Sequence, residues 1–183
     1  MNAPRHARRV VGLAAVLVLL ASNAASARPD GGHGSRRVHF TTTSQIVGGD
    51  FGCDPSAPTR CAGTFRTIRT LTGDIEGTAY AVGSAVLLPD GTYQGQDVAQ
   101  FTGTIEGCGR GTLLMIETGI LDPATARERG TWTITAGQGT GDLARVSGSG
   151  TADTRAGGAT GAIRCHGRDS HESARPDEPD HDG

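Results

Sequence analysis

Apolar and polar residues alternate through much of the chain between residues 38 and 165, as in strands that bury one face of a sheet. In TFRTIRTL, residues 64–71, every second side chain from Phe65 to Leu71 falls on one face. These segments are rich in Thr, Val, Ile and aromatic residues, and glycines or turns such as PDG at 89–91 separate them. The predicted strands are residues 38–46, 64–71, 75–88, 100–108, 111–121, 129–136, 143–153 and 158–165.

About eight strands without a sustained helical period predict an all-β fold, either a sandwich or a small antiparallel closed barrel. Glycines inside the strands favour the barrel, because tight curvature needs positions where no side chain clashes. One segment, DPATARE at 122–128, has the Asp-Pro start of a helix, but it has room for no more than about two turns.

A short motif occurs twice, as TGDIEG at 72–77 and as TGTIEG at 102–107. The repeat predicts two neighbouring strands that bend in the same way. The isoleucine of each copy is expected to face the core, and Glu76 and Glu106 are expected to face solvent. Duplication and convergent sheet chemistry explain the repeat equally well.

Residues 1–27 have the parts of a secretory signal peptide: a basic start, a short apolar run and a small-residue cleavage site, ASA, at 25–27. We therefore predict a secreted, extracellular protein with no membrane span after cleavage, since the apolar run is short for a span. The predicted organisation is a signal peptide at 1–27, a flexible leader at 28–37, a β-barrel domain at 38–165 and a disordered acidic tail at 166–183.

The chain has four cysteines, and in a small exported protein these are typical of two disulfides. Three pairings are possible in principle. We favour Cys53–Cys61, which encloses a short Pro- and Ser-rich loop, together with Cys108–Cys165, which lie near the ends of two predicted strands. Neither spacing is that of a metal-binding knuckle, so no metal site is predicted.

Composition removes several classes of function. The formal net charge is −2 without a basic cluster, which argues against a nucleic-acid partner. The sequence contains no lysine, so a Schiff-base nucleophile and a phosphate-loop lysine are both ruled out. The histidines lie near the N-terminal end or in the tail, and a Ser-His triad therefore lacks a suitable base.

The segment GQGTGDLARVSGSG at 137–150 resembles the glycine fingerprint of a dinucleotide-binding turn. That turn must open a helix, whose N-terminus holds the pyrophosphate. Here the residues that follow are interrupted by glycine and serine, and Asp142 would place a carboxylate where a phosphate must lie. The segment is predicted to be a tight turn between strands, and no cofactor is predicted.

The order of several motifs resembles a bacterial family of uncharacterised proteins that is assigned to the allene-oxide-cyclase-like barrel, a fold shared with plant dirigent proteins. The resemblance implies a small eight-stranded antiparallel closed barrel with a ligand-sized cavity, and no particular reaction. In the plant proteins the barrel binds hydrophobic or phenoxy-type intermediates and directs their cyclisation or coupling. The motifs are GTF at 63–65, TGDIEG at 72–77, FTGTIEGCGRGTL at 101–113, GTWTITAGQGTGDLARVSGSG at 130–150 and GATGAIRC at 158–165, with Gln138 where the family usually has Ser.

Glu117, within LLMIETGI, is the candidate catalytic residue. If it faces inward with Leu113 and Met115, its carboxyl lies in an apolar cavity with a raised pKa and becomes a general acid or base. If it faces outward, it is a solvated surface residue. Both faces of this strand are apolar, so the pattern leaves the two alternatives open.

Tyr80, Trp132 and Arg145 are candidate ligand-binding residues, although packing explains the aromatic side chains as well as stacking on a ligand does. Arginines within strands, among them Arg69 and Arg145, are expected to face outward. An inward arginine paired with a glutamate would form a buried ion pair.

Three functions fit these observations. The first is a secreted, disulfide-stabilised barrel that binds a small apolar or amphipathic ligand. The second is an isomerase or cyclase that acts on a reactive small molecule inside the barrel, with Glu117 as acid or base. The third is a structural or interaction barrel filled by its own side chains. The ligand and the oligomeric state are left open.

Overall fold

The computed structural model describes residues 34–165, which form one antiparallel sheet. A 3₁₀ turn at Thr154–Ala156 lies between the last two strands. The strands are β1 Arg36–Asp54, β2 Ala57–Gly73, β3 Ile75–Leu87, β4 Tyr93–Ile105, β5 Gly109–Asp122, β6 Arg127–Ile134, β7 Thr140–Gly141, β8 Ser147–Asp153 and β9 Gly158–Arg164.

Eight of these strands close into a ring. Each pairs with its two neighbours in the order β1-β2-β3-β4-β5-β6-β8-β9, and β9 returns to β1. The two-residue β7 lies outside the ring and pairs with Gly111 and Thr112 of β5. The predicted all-β, antiparallel, closed architecture is therefore confirmed.

The turns of an antiparallel ring fall alternately at its two ends. The turns β1–β2, β3–β4, β5–β6 and β8–β9 lie at one end, which we call the open end. The turns β2–β3 and β4–β5 and the β6–β8 connection lie at the other, the closed end. Fully buried apolar side chains fill the closed end: Ile75, Ile105, Leu113, Leu143, Val146 and Ile163.

Glycines let large rings reach the inner wall of the ring. A Cβ on Gly161 would lie 2.3 Å from Cζ2 of Trp132, and one on Gly150 would lie 2.6 Å from the same indole. Trp132 packs edge-on against Phe40 with ring centroids 5.6 Å apart. These glycines therefore provide the close approach that strand glycines were expected to allow.

The repeated motif occupies neighbouring strands, as predicted. Ile75 lies opposite Ile105 in the β3–β4 pairing, and both are buried. Glu76 and Glu106 are exposed, and the Glu106 carboxylate lies 2.6 Å from the Arg36 guanidinium.

Several local predictions need correction. The strands predicted at 38–46 and 64–71 extend to the tip of their hairpin, as β1 Arg36–Asp54 and β2 Ala57–Gly73. Residues 123–126 form a turn between β5 and β6 without a helix, because strand pairing continues to Asp122 and resumes at Arg127. Strand β4 begins at Tyr93, seven residues before the predicted start at residue 100. The predicted strand at 143–153 begins only at Ser147. Before it, Leu143 and Val146 enter the core from a turn, which explains their strand-like apolar pattern.

The disulfide pairing is confirmed. Cys53–Cys61 joins directly opposed positions of β1 and β2, with Cα atoms 3.9 Å apart. Cys108–Cys165 joins the β4–β5 turn to the residue after β9, with Cα atoms 5.3 Å apart. Two such bonds indicate an oxidising environment. The predicted signal peptide at 1–27 and acidic tail at 166–183 lie outside the described residues, within which no helix is long and apolar enough to cross a membrane.

Candidate functional site

The inner wall of the ring is layered towards the open end. Side chains that alternate with the buried Ala81, Ala99, Met115 and Ile134 point inward, and strand pairing arranges them in three rows. From the core outward the rows are Gly83, Asp97, Glu117 and Trp132, then Ala85, Gly95, Gly119 and Gly130, then Leu87, Tyr93, Leu121 and Glu128.

Arg69 of β2 lies at the base of this space. It falls between Thr67 and Leu71, which are also buried, so its side chain points inward and the residue is 7% exposed. Its guanidinium binds Asp97 through two hydrogen bonds, Nη1 to Oδ1 at 3.2 Å and Nη2 to Oδ2 at 2.7 Å. Nη1 also lies 3.0 Å from Oε1 of Glu117.

The prediction that Arg69 faces outward is wrong. Alternation alone placed Arg69 on the face of Phe65, Thr67 and Leu71, and only its charge argued against burial. In the folded chain Asp97 and Glu117 provide the hydrogen bonds and negative charge that water would supply, so the guanidinium tolerates burial.

Glu117 takes the inward of the two placements that the sequence left open. It alternates with the buried Leu113 and Met115, and its side chain remains 28% exposed towards the open end. Burial raises the pKa of Glu117 to about 7. Arg69 opposes this rise, and Asp97 and Glu128 add to it. Its catalytic role stays a prediction.

The pKa values of Glu128 and Arg69 are also shifted by burial and by the neighbouring charges. Burial raises the pKa of Glu128, although the side chain keeps contact with solvent at the rim, and the Arg69 charge works against that rise. Burial also lowers the pKa of Arg69, but the carboxylates of Glu117 and Asp97 outweigh it, so the net change is upward. The cluster of Arg69, Asp97, Glu117 and Glu128 therefore holds a permanent guanidinium and at least one carboxyl, that of Glu117, which is partly protonated at neutral pH.

Two buried donors lie on the same inner wall without a hydrogen-bond partner among the described residues: the hydroxyl of Thr67 and the indole N–H of Trp132. Thr67 is 5% and Trp132 2% exposed. Trp132 is directly opposite Glu117 in the β5–β6 pairing, and Thr67 lies two residues from Arg69. Buried donors are normally satisfied, so each of the two marks a position that an acceptor would satisfy.

The other candidate residues are not brought together. Trp132 lies inside the ring beside Glu117. Tyr80 is 45% exposed on the outer face of β3, and Arg145 is exposed in the turn before β8. Their ligand-binding roles stay predictions, but these three residues do not form one pocket.

The cluster includes residues that sequence reasoning did not single out. Asp97 and Glu128 were missed. The signal for Asp97 was present, because it alternates with Ala99 and Phe101 in DVAQF. A charged residue in phase with apolar neighbours is a candidate for a buried ion pair. Within residues 34–165, no group of three or more His, Cys, Asp or Glu side chains is arranged to hold a metal ion.

A groove of about 750 Å³ crosses five strands near the open end. Its lining combines outward side chains, including Gln96, Thr118, Thr131 and Arg129, with the small residues of the second inward row, Ala85, Gly95, Gly119 and Gly130. The Thr118 and Thr131 hydroxyls hydrogen-bond to each other across the strands at 2.9 Å.

Replacing Glu117 with Gln is expected to change how stability depends on pH. The native pKa of about 7 lies above the ordinary value of 4.5, so the folded protein holds the proton more tightly than the unfolded chain. That stabilisation is complete below pH 4.5 and is lost as pH rises through 7. Urea unfolding should show E117Q gaining about 2–3 kcal/mol relative to wild type between pH 5 and 8.

The exposed Glu76 offers a matched control, because E76Q removes a carboxyl from the outer face. Its unfolding free energy should follow wild type at both pH values. Parallel pH curves for wild type and E117Q would show that Glu117 titrates as it does in the unfolded chain.

The fold and its interior define the class of protein: a small, disulfide-linked, closed antiparallel barrel with an ionised cluster below its open end. The chain belongs to the family described as "Protein of unknown function (DUF3224)", whose model matches residues 54–163. The predicted membership of an uncharacterised family is thus confirmed.

A solved structure of similar fold is a protein of unknown function from the DUF3224 family of Shewanella oneidensis MR-1. It is 14% identical, and the match covers 72% of this chain and 94% of that chain with a TM-score of 0.50. At this identity the likeness concerns the fold alone. No curated protein matches the sequence significantly.

Proposed function

We propose that this protein is secreted and binds a small apolar or amphipathic molecule inside the open end of its barrel. The observation that carries the proposal is the row of very small inward residues, Ala85, Gly95, Gly119 and Gly130, between the charged cluster and the rim. A row of three glycines and one alanine leaves room inside a ring of this size for one small ligand.

Two sets of inward glycines differ in what lies over them. At Gly150 and Gly161 an added Cβ would meet the Trp132 indole. At Gly95 and Gly119 the three nearest atoms to an added Cβ all belong to the adjacent strand, at 3.1 Å or more. The absence of a covering ring among these nearest atoms supports open space above Gly95 and Gly119.

The surroundings of this space indicate an amphipathic occupant. Inward apolar side chains at the rim keep contact with water, and Leu121 is 41% exposed. Phe51 packs edge-on against Tyr93 with ring centroids 5.4 Å apart. An apolar rim above a charged floor is the arrangement expected for a ligand pocket, in which a few polar groups orient an apolar body.

Secretion is supported by the two disulfides and by the signal-like segment at 1–27. An exported barrel is positioned to meet its ligand in the medium. The resemblance to allene-oxide-cyclase-like and dirigent barrels agrees with a ligand inside the ring and comes from the quoted motifs.

Native mass spectrometry of protein recovered from the culture medium of its producer tests the proposal, with a denatured spectrum of the same sample. We expect a small, discrete mass excess in the native spectrum. The denatured mass should correspond to cleavage after Ala27 and to four missing thiol hydrogens.

Ala85→Phe tests whether the ligand lies at the row of small residues, because Ala85 belongs to that row and is only partly buried. Val86→Phe, on the outer face of the same strand, is its control. The mass excess should disappear in A85F and persist in V86F. An excess that survives in both variants, or none in wild type, favours a barrel without an interior ligand.

A second candidate function is isomerisation or cyclisation of the bound molecule, with Glu117 as general acid or base. It is favoured by the pKa of about 7, which suits proton transfer at neutral pH, and by the partial access of this carboxyl to the open end. Incubation of the recovered ligand with wild type and E117Q, followed by mass spectrometry, separates the two functions. Conversion that is lost in E117Q while binding persists identifies the enzyme, and an unchanged ligand in both identifies the binding protein.

A further inference from the structure

We propose that the molecule bound in the open end is a small organic cation, an ammonium group on an apolar body that also carries an acceptor oxygen. The proposal rests on the ligand-binding function proposed above and adds the chemical class of the ligand. Three observations carry it: the excess of carboxylates in the cluster, the engagement of the Arg69 guanidinium by two of them, and the two unpartnered donors.

Negative groups outnumber positive ones inside the open end. Asp97, Glu117 and Glu128 occupy inward positions of β4, β5 and β6, and Arg69 is the guanidinium that interacts with all three. Other arginines near this end are directed elsewhere. Arg127 is held 2.5 Å from Asp153, while Arg66 and Arg129 project from outward positions.

The guanidinium of Arg69 is already engaged. Both of its terminal nitrogens contact carboxylates, three contacts lie within 3.2 Å, and its side chain is 9% exposed. An anionic ligand would therefore have to displace Asp97 or Glu117 while facing their charges. A cation finds the opposite situation: Glu128 at the rim and Glu117 below it have more negative charge than Arg69 neutralises.

The two unpartnered donors are the reason for including an acceptor oxygen in the ligand. Trp132, opposite Glu117 in the β5–β6 pairing, and Thr67, two residues from Arg69, are both more than nine-tenths buried, and the indole N–H of one and the hydroxyl of the other have no partner among the described residues. An ammonium group cannot accept from them, whereas a hydroxyl or carbonyl oxygen of the same ligand can. The apolar body is accommodated by Leu87, Tyr93 and Leu121 at the rim.

The partial protonation of Glu117 gives the binding a defined pH dependence. Because the cation favours the ionised carboxylate, affinity should rise as pH increases from 6 to 8, while an aliphatic amine stays protonated throughout. Below pH 7 binding should release a proton from Glu117. The charged groups that face Glu117 are Arg69, Asp97 and Glu128, so the E117Q variant isolates its contribution.

The test uses three probes that share a phenyl ring and a hydroxyl on the adjacent carbon: 2-amino-1-phenylethanol, 1-phenyl-1,2-ethanediol and mandelate. They differ in the group attached to the carbinol carbon, which is an ammoniomethyl, a hydroxymethyl or a carboxylate group. Isothermal titration of wild-type protein at pH 8 should give at least about tenfold tighter binding of the amine than of mandelate. The preference should shrink in E117Q and E128Q and persist in E76Q, whose carboxyl faces outward.

The outcomes separate the charge proposal from the binding proposal. Equal affinities for the three probes that A85F abolishes would overturn the cation and leave the ligand site standing. Amine binding that A85F leaves unchanged would be attraction to the surface and would overturn the cation proposal for this site. No binding of the amine at about 10 mM would overturn the cation as well, while native mass spectrometry decides independently whether the barrel holds a ligand.

Discussion

Replacing Cys108 and Cys165 with alanine is expected to lower the free energy of unfolding by about 4 kcal/mol. The bond joins residues 57 apart in sequence, so it removes much of the freedom of the unfolded chain. It also ties the β4–β5 turn to the end of β9, which do not pair with each other in the ring, and both cysteines pack against the core. Urea unfolding of the oxidised wild type and of the double variant measures the loss.

The second disulfide provides the comparison. Cys53 and Cys61 are only 8 residues apart and already lie opposite each other in the β1–β2 pairing. Their replacement by alanine should cost about 2.5 kcal/mol, because a short loop has less entropy to lose. Equal losses for the two pairs would mean that loop length does not govern their contribution. A larger loss for the Cys53–Cys61 pair would place the greater constraint at the hairpin tip.

Replacing Arg69 with Gln is expected to destabilise the protein by about 3–5 kcal/mol at pH 8. Asp97 would remain buried with its two guanidinium hydrogen bonds removed, and Glu117 would lose its cation. The surrounding carboxyls would then hold protons more tightly in the folded state. By the same linkage as for Glu117, the deficit should therefore be larger at pH 8 than at pH 5.

Arg127 forms a similar bidentate pair with Asp153 at the surface, where the two side chains are 33% and 29% exposed. Arg127→Gln should cost far less than Arg69→Gln, because water solvates both partners after the change. Chemical denaturation of both variants at the two pH values makes the comparison. Similar losses for R69Q and R127Q would show that burial adds nothing to the interior pair.

Together with the E117Q prediction, these changes assign opposite roles to members of one cluster. Loss of the guanidinium destabilises, since it leaves uncompensated charge. Loss of the Glu117 charge stabilises at pH 8, since its ionised form is the one that burial disfavours. The ionised Glu117 carboxyl thus works against the stability of the fold at pH 8, which agrees with the ligand-binding role proposed for it.

Much of the architecture was predictable from local sequence. Alternation and strand-forming residues identified most of the strands, glycines indicated curvature, and cysteine spacing led to the correct pairs. The repeated TGxIEG motif predicted neighbouring strands with Ile75 and Ile105 inside. Such features depend on the residue itself and its immediate neighbours, so a single sequence contains them.

The interior site was less accessible for a physical reason. Whether Arg69 is buried depends on Asp97 and Glu117, which lie 28 and 48 residues further along the chain and reach it only through strand register. A residue-by-residue estimate assigns an arginine to solvent, because it cannot include partners supplied by other strands. The same limit applied to Tyr80 and Trp132, whose aromatic side chains look alike in sequence and lie on opposite faces of the sheet.

The amino-acid sequence by itself determined the all-β class, the closed antiparallel ring and the two disulfides, because periodicity, glycine and cysteine spacing act locally. Only the tertiary structure decided which side of β5 faces inward and which charges meet below the open end. It also decided which glycines are covered by aromatic rings. Those features arise when register brings distant strands side by side, and the charge and the space of the candidate site exist only after the ring has closed.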